Sequence, residues 1–363
     1  MARRTWDESD IRVRPNKKGS RPRTKDRPSY KDALIGRIIT VDRGRYTAVV
    51  HEGTSEEHSV VAVRAKELRK NPVVVGDLVG LVGDTSGQEG SLARLVRIED
   101  RSTLLRRSAD DTDPFERVVV ANATQLFIVV AAANPEPRTG FIDRSIVAAY
   151  DAGIRPILCI TKTDLKYPQE LLDYYEHAGL EIKLSQSSDG KAPSEEGSEG
   201  LTTSLVEDIL QMLDGEVSVL LGHSGVGKST LVNALTGSTR DTGHVNAVTG
   251  RGRHTSSSAV ALRPQQYSTS SWIIDTPGIR SFGLAHIEKE NIVGAFAELA
   301  PASAHCPKGC SHAESAADCA LSTWVAEGKA GAYGELRLRS LRKLLGVQEI
   351  TDVDSEKELG IVE

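Results

Sequence analysis

The chain has 363 residues, 39% of them hydrophobic and 26% charged, with a formal net charge of −5. That length predicts two or three domains with an ample apolar core. No apolar run nears the ~18 residues of a membrane span, and four cysteines are too few for a disulfide scaffold, so a soluble chain without a membrane partner is expected.

"MARRTWDESD" has charge but no apolar stretch behind it; no secretory signal is expected, and a cytoplasmic location is the default. Residues 1–31 hold eleven Lys or Arg against four acids, leaving −12 for the remainder. The segment 1–33 therefore reads as a basic disordered tail, either simply solvated or suited to phosphate backbones. From Leu34 to Arg101, "LIGRIITVDRGRYTAVVHEG", "EHSVVAVRA", "NPVVVGDLVGLVGD" and "SLARLVRIEDR" are short β-branched stretches separated by turn residues. They predict a small antiparallel β domain, an OB-like barrel or a generic one. Residues 102–116, within "RSTLLRRSADDTDPFER", read as a linker.

Over 117–285 the pattern alternates. Buried strands are predicted at "QLFIVVAAA" (125–133), "IRPILCI" (154–160), "LEIKLS" (180–185) and "EVSVLL" (216–221), and helices at 141–153, 168–179 and 202–213. Near-continuous apolar strands between amphipathic helices mean a mostly parallel sheet covered on both faces, with ligands at the strands' carboxyl ends.

Two motifs begin where such strands stop. "GHSGVGKST" (Gly222–Thr230) matches G-x-x-x-x-G-K-[ST] between a strand and a helix. Gly222, Gly225 and Gly227 let the backbone N–H groups of the loop, which also includes His223, Ser224 and Val226, turn toward phosphate oxygens. Lys228 would bridge the terminal phosphates and the Ser229 hydroxyl would ligate Mg²⁺, with Thr230 continuing the helix. The second motif, "TKTD", has the form [N/T]-K-x-D. The Asp164 carboxylate would select the two N–H donors of guanine, Lys162 would lie along the base, and Thr161 and Thr163 complete the motif. Thr161 stands where Asn is usual and has shorter reach, which predicts weaker guanine binding with selectivity intact. "SQS" at 185–187, beginning with Ser185, is a site for backbone contacts to the guanine oxygen.

In "IIDTPG" (273–278) Asp275 would hold Mg²⁺ through a water, and the Gly278 N–H would meet a γ-phosphate. In "GRGRHTSSS", Thr255 would close over the metal when γ-phosphate is present. Ile279 follows "DTPG" where many GTPases carry a water-orienting Gln, so slow intrinsic hydrolysis is expected. His254 is either the group that positions the water, a catalytic role beside Lys228 and Thr255, or part of a partner-binding loop.

Residues 286–346 hold "HCPKGCSHAESAADCA". Cys306, Cys310, His312 and Cys319 form a Cys₃His set of the composition used for a closed, structural Zn²⁺ site, with His305 as an alternative ligand. Cys159 in "PILCI" reads as core. The helix in "AYGELRLRSLRKLL" places Arg337, Arg339, Arg342 and Lys343 either against RNA phosphates or in water. Residues 347–363 read as an acidic tail.

The motif order, base element first and phosphate loop second, is a circular permutation of the usual GTPase order. With "VVVGDLVGL", "RVVVANATQLFIVVAAA", "GHSGVGKSTLVNAL", "GRGRHTS" and "DTPGIRSFGL", the chain closely resembles the ribosome small-subunit-dependent GTPase A family from about Ile35 to Leu345. The resemblance implies an N-terminal OB fold, a circularly permuted α/β P-loop GTPase domain and a C-terminal helical zinc domain. It further implies GTP hydrolysis stimulated by the small ribosomal subunit during late maturation, with rRNA, GTP and GDP as partners, in a monomer. On the same resemblance GTP is held by Thr161–Asp164 and Gly222–Thr230, and one zinc by Cys306, Cys310, His312 and Cys319. The zinc spacing is one residue tighter between the first two cysteines and one wider before the last than the family pattern. The alternative function is an RNA-binding assembly module whose guanine nucleotide is structural and never turned over.

Overall fold

The N-terminal β-rich stretches close on themselves. In the computed structural model, which describes residues 30–68, 71–107, 117–185, 201–237, 259–265, 270–276 and 283–346, strands β1 (Leu34–Asp42), β2 (Arg45–Val50), β3 (His58–Arg64), β4 (Leu78–Gly83) and β5 (Ala93–Ile98) run in the order β1-β2-β3-β5-β4. A further β4–β1 ladder completes a five-stranded barrel, antiparallel except where β3 meets β5. Alternating residues such as Ile38, Ala48, Val60, Val79 and Leu95 are fully buried inside it, the period-2 pattern of a strand with one face on a core. Residues 1–29 of the basic tail, the acidic tail, Gln186, Ser187, His254, Thr255, Gly278 and Ile279 lie outside the described residues.

The segment read as a linker contributes a strand. β6 (Leu104–Arg107) pairs antiparallel with β7 (Arg117–Ala121), burying Leu105 and Val120. Its two arginines and the polar run after it hide this apolar alternation from a composition reading.

Next comes a six-stranded sheet. β8 (Gln125–Ala131), β9 (Arg155–Thr161), β10 (Glu181–Leu184), β11 (Val217–Leu221) and β13 (Trp272–Asp275) are parallel in the order β10-β9-β8-β11-β13, and β12 (Val260–Leu262) adds antiparallel to β13. All of β8 and all but the first residue of β9 are buried, as expected for strands covered on both faces. Helices α3 (Thr203–Leu213) and α4 (Lys228–Thr236) cover one face. On the other face lie α1 (Thr139–Asp151) and α2 (Gln169–Tyr175), together with the C-terminal α5 (Lys289–Gly294), α6 (Ala300–Ser303), α7 (Ala320–Ala326) and α8 (Gly334–Leu344). Cys319, Leu321, Leu338 and Leu341 pack in the same apolar cluster as Phe141, Ile142 and Ile146 of α1. The metal-motif segment thus shares its core with the α/β sheet.

A buried charged cluster fastens this junction. Arg337 of α8 donates to Asp143 of α1 and to Glu298 at 2.5 Å each. Asp143 also accepts from Tyr175 (2.9 Å) and Ser340. The guanidinium stacks near the rings of Phe296, Tyr174 and Tyr175. For Arg337 neither alternative, RNA phosphates or water, holds, because its side chain is 3% exposed and paired inside the fold. Arg342, half-buried, donates to the His312 carbonyl and the Ser322 hydroxyl, both at 2.8 Å.

Candidate nucleotide site and metal centre

The carboxyl ends of β9, β11 and β13 converge. β11 delivers the loop Gly222–Gly227, and α4 starts at Lys228 with Gly227 as its left-handed cap (φ +83°). A Cβ at Gly222 would stand 2.6 Å from the Val129 carbonyl, so only glycine lets the loop leave the sheet here. The uncapped N–H groups of a helix start favour an anion. The His223 ring meets that of Phe141 in α1, tilted at 59° with centroids 4.2 Å apart. Ser224, Gly225 and Ser229 are exposed, Thr230 is half-buried, and Val226 is buried beneath the loop.

Lys228 and Asp275, both about nine-tenths buried, form an ion pair between the phosphate loop and the end of β13. A cation for phosphates and a carboxylate for Mg²⁺ therefore stand together, as a phosphate–metal site needs. Thr276 is anchored behind them by its hydroxyl bond to the Leu220 carbonyl, 2.7 Å. Ser229, on the first turn of α4, is open to ligate the same metal.

The base motif is built from unexpected contacts. The Thr161 hydroxyl, 2% exposed, donates at 2.5 Å to the carbonyl of Val226 in the phosphate loop, with the Val130 carbonyl 3.2 Å away. The residue thus ties β9 to the phosphate loop. Gly227 follows at φ +83°, a left-handed conformation that favours glycine, beside the Thr161 side chain. Ser185 is fully buried and its hydroxyl accepts from the Thr163 backbone N–H at 3.1 Å and lies 2.9 Å from the Thr163 hydroxyl. Its own N–H donates to the Ile160 carbonyl, so Ser185 braces the base motif and offers no free N–H to a base. Lys162 adopts φ +55° and its ammonium bonds the Asn134 carbonyl, while Asp164 is exposed. Sequence spacing missed these braces because the partners lie 65 and 22 residues apart.

Cys306, Cys310, His312 and Cys319 do come together, their ligand atoms all within 4.8 Å of one another. His312 Nδ1 lies 3.6 Å from Cys306 Sγ and 3.8 Å from Cys319 Sγ. A tetrahedron with zinc's ordinary bond lengths has a sulfur–nitrogen edge of about 3.5 Å, so the donor set fits the ion. Cys319 caps α7. Burial pushes its thiol up, but the N–H groups of Ser322 and Leu321, joined by the neighbouring thiols, outweigh burial and leave it below the usual range. Burial, against N–H groups of Ala320 and Leu321, holds Cys306 above its usual value. Burial and the nearby Arg342 lower His312, favouring the neutral imidazole a metal takes.

The RsgA GTPase family model matches residues 98–285. A Klebsiella pneumoniae (strain ATCC 700721 / MGH 78578) protein named "Small ribosomal subunit biogenesis GTPase RsgA" is 30% identical over 366 residues, 96% of each chain. A Pseudomonas aeruginosa (strain LESB58) protein of the same name is 33% identical over 275 residues, 74% of each chain. Two solved structures share the fold. YloQ, titled a circularly permuted GTPase, aligns with a TM-score of 0.60 and 20% identity over 89% of this chain and 98% of its own. YjeQ from Thermotoga maritima aligns with 0.58 and 22% over 87% and 99%. No helix among the described residues is long and apolar enough to cross a membrane. With its base element on β9 ahead of its phosphate loop on β11, this chain belongs to the circularly permuted RsgA GTPase family and is an enzyme that hydrolyses GTP.

Proposed function

We propose that this GTPase works as a checkpoint in late maturation of the small ribosomal subunit, binding its rRNA and leaving when GTP is hydrolysed. One observation carries the reading. The relative named for small-subunit biogenesis matches 96% of both chains, well beyond the GTPase region. The barrel (34–101) and the Cys₃His segment (286–346), flanking the GTPase part (117–285), are the rRNA-facing domains in this reading, assisted by the basic N-terminal tail. The chain acts in the cytoplasm as a monomer.

Within the GTPase part, the motif Thr161–Asp164 holds guanine, Asp164 reading its donors and Lys162 lying along the ring, with Thr161 bracing the motif on the phosphate loop. Gly222–Thr230 hold the phosphates, with Lys228 as the point charge. Ser229, Thr255 and Asp275 hold Mg²⁺, which neutralises the charge that grows on the phosphate oxygens. Gly278 meets the γ-phosphate and His254 positions the attacking water. One zinc at Cys306, Cys310, His312 and Cys319 is structural, since three thiolates and an imidazole leave no open position for catalysis.

The test is release. Wild-type protein loaded with GTP sediments with purified small subunits and is released as GTP turns over. Lys228→Ala, lacking the phosphate-bridging charge, loses this GTP-dependent cycle. Release that is unchanged in Lys228→Ala contradicts the switch and favours a structural nucleotide.

A further inference from the structure

The hairpin β12–β13 carries Asp275 at one end, yet its other end is held by the barrel. Arg263, just after β12, stacks 3.7 Å from the Trp272 ring centroid at the start of β13. Its guanidinium donates to Glu57 (2.7 Å) and to the Ser271 carbonyl (3.1 Å). The Trp272 indole N–H donates to Glu52 at 2.6 Å, and the second oxygen of Glu52 accepts from Arg37 of β1 at 2.9 Å. Glu57 is itself oriented by the Gly53 N–H, 2.8 Å from the same oxygen that takes Arg263. Glu52 and Glu57 both sit in the loop between β2 and β3, more than 200 residues from their partners.

At the Asp275 end, Val260 pairs both with Asp275 and with Thr40 of β1. Among the described residues this is the one register position at which barrel and hairpin pair. β12 has three residues and β13 four. Trp272 and Asp275 are therefore about 10 Å apart at ~3.3 Å per residue, close enough for a tilt at one end to move the other.

We infer that Glu52 and Glu57 of the barrel are positioning residues for GTP hydrolysis, setting Asp275 against Lys228 by clamping Arg263 and Trp272. Neither touches nucleotide. The clamp is a network of two cations, Arg37 and Arg263, two carboxylates and an indole donor, in which each ordered side chain lowers the entropy cost of the next. Isolated exposed pairs contribute little, but these side chains are 14–28% exposed. The phosphate loop leaves β11, which pairs with β13 but is held on its other side by β8, and the base motif leaves β9, which the hairpin does not touch. Loosening the hairpin should accordingly lower kcat and spare nucleotide binding, since a misplacement of ~1 Å can cost up to ~100-fold in rate.

The inference rests on GTP hydrolysis alone, so single-turnover and steady-state assays are run on the full chain without ribosomal particles. Glu52→Ala/Glu57→Ala is expected to lower kcat roughly five- to thirtyfold, with KM for GTP and GDP affinity within about twofold of wild type. Glu57→Gln, whose single oxygen can accept both bonds described for Glu57, is expected to keep at least about half of wild-type kcat. The inference is overturned if the folded double variant keeps kcat within twofold, if kcat and KM worsen together, or if Glu57→Gln loses as much as the double variant. Should the double variant fail to fold, Trp272→Phe, which removes the indole donor and narrows the ring beneath Arg263, carries the same expectation at roughly three- to tenfold. An unchanged kcat there also overturns it.

Discussion

Replacing Arg337 with Met should be the most destabilising single change at the junction of α1 and α8. The cation is 3% exposed, and its two carboxylate partners, Asp143 and Glu298, are 0% and 2% exposed. Methionine fills much of the volume but leaves both acids without their counter-ion. Asp143 retains Tyr175 and Ser340 as donors. Glu298 is worse placed, because its second carboxylate oxygen is buried without a hydrogen-bond partner among the described residues. Breaking a buried ion pair from one side costs about 3–5 kcal/mol, and the lost stacking on Phe296, Tyr174 and Tyr175 adds to it. Urea unfolding followed by tryptophan fluorescence is a suitable assay, since the Trp324 indole N–H is bonded to the Glu298 carbonyl at 3.0 Å. Removing all three charges, in Arg337→Met/Asp143→Asn/Glu298→Gln, should recover part of the loss, because no buried charge then stands alone. A loss below about 1 kcal/mol in Arg337→Met, or a triple variant less stable than the single one, would refute the reasoning.

Three further outcomes are expected. Thr161→Val removes the hydroxyl bond to Val226 and should weaken GDP binding by about 1–2 kcal/mol, roughly five- to thirtyfold, in a fluorescent-nucleotide titration, with Thr161→Ser near wild type. The purified chain should contain one zinc by elemental analysis, and Cys319→Ser should lose it together with the native Trp324 signal; full zinc retention would contradict the four-ligand site. His58 lies with both ring nitrogens on carbonyls, those of Glu56 (2.7 Å) and Thr85 (2.9 Å), so only the doubly protonated ring donates both bonds. The Thr85 carbonyl, then that of Glu56, raises its pKa above the ordinary 6.5 against a small opposing effect of burial. Its stabilisation is therefore complete below pH 6.5 and fades as pH rises through the folded value. NMR titration of the ring checks this, and a value at or below 6.5 would contradict it.

What the sequence made legible is what is local along the chain. "GHSGVGKST", "TKTD" and the Cys₃His set each fall within a short run, and the strands before the first two are apolar enough to identify. The braces between motifs are not local. Thr161 read as a weak base contact because nothing in four residues points to a carbonyl 65 positions away. Ser185 read as a backbone donor to the base, whereas its N–H closes on Ile160 and its hydroxyl supports Thr163. Arg337 read as a phosphate contact or a solvated charge because it belongs to a basic helix. A signal was present, though: Gly334 and Leu341 lie one turn to either side and Leu338 is next in the chain, a buried stripe that places Arg337 on the apolar face. Charged side chains on such a face are paired inside far more often than composition suggests.

The central claim is a GTPase whose turnover belongs to the small ribosomal subunit. GTP hydrolysis by the zinc-loaded chain, measured alone and with purified small subunits, tests it most directly. Slow turnover alone and a stimulation of at least about tenfold by small subunits, a barrier change of about 1.4 kcal/mol, is the expected result. Turnover that small subunits leave unchanged, or that large subunits stimulate equally, would contradict it.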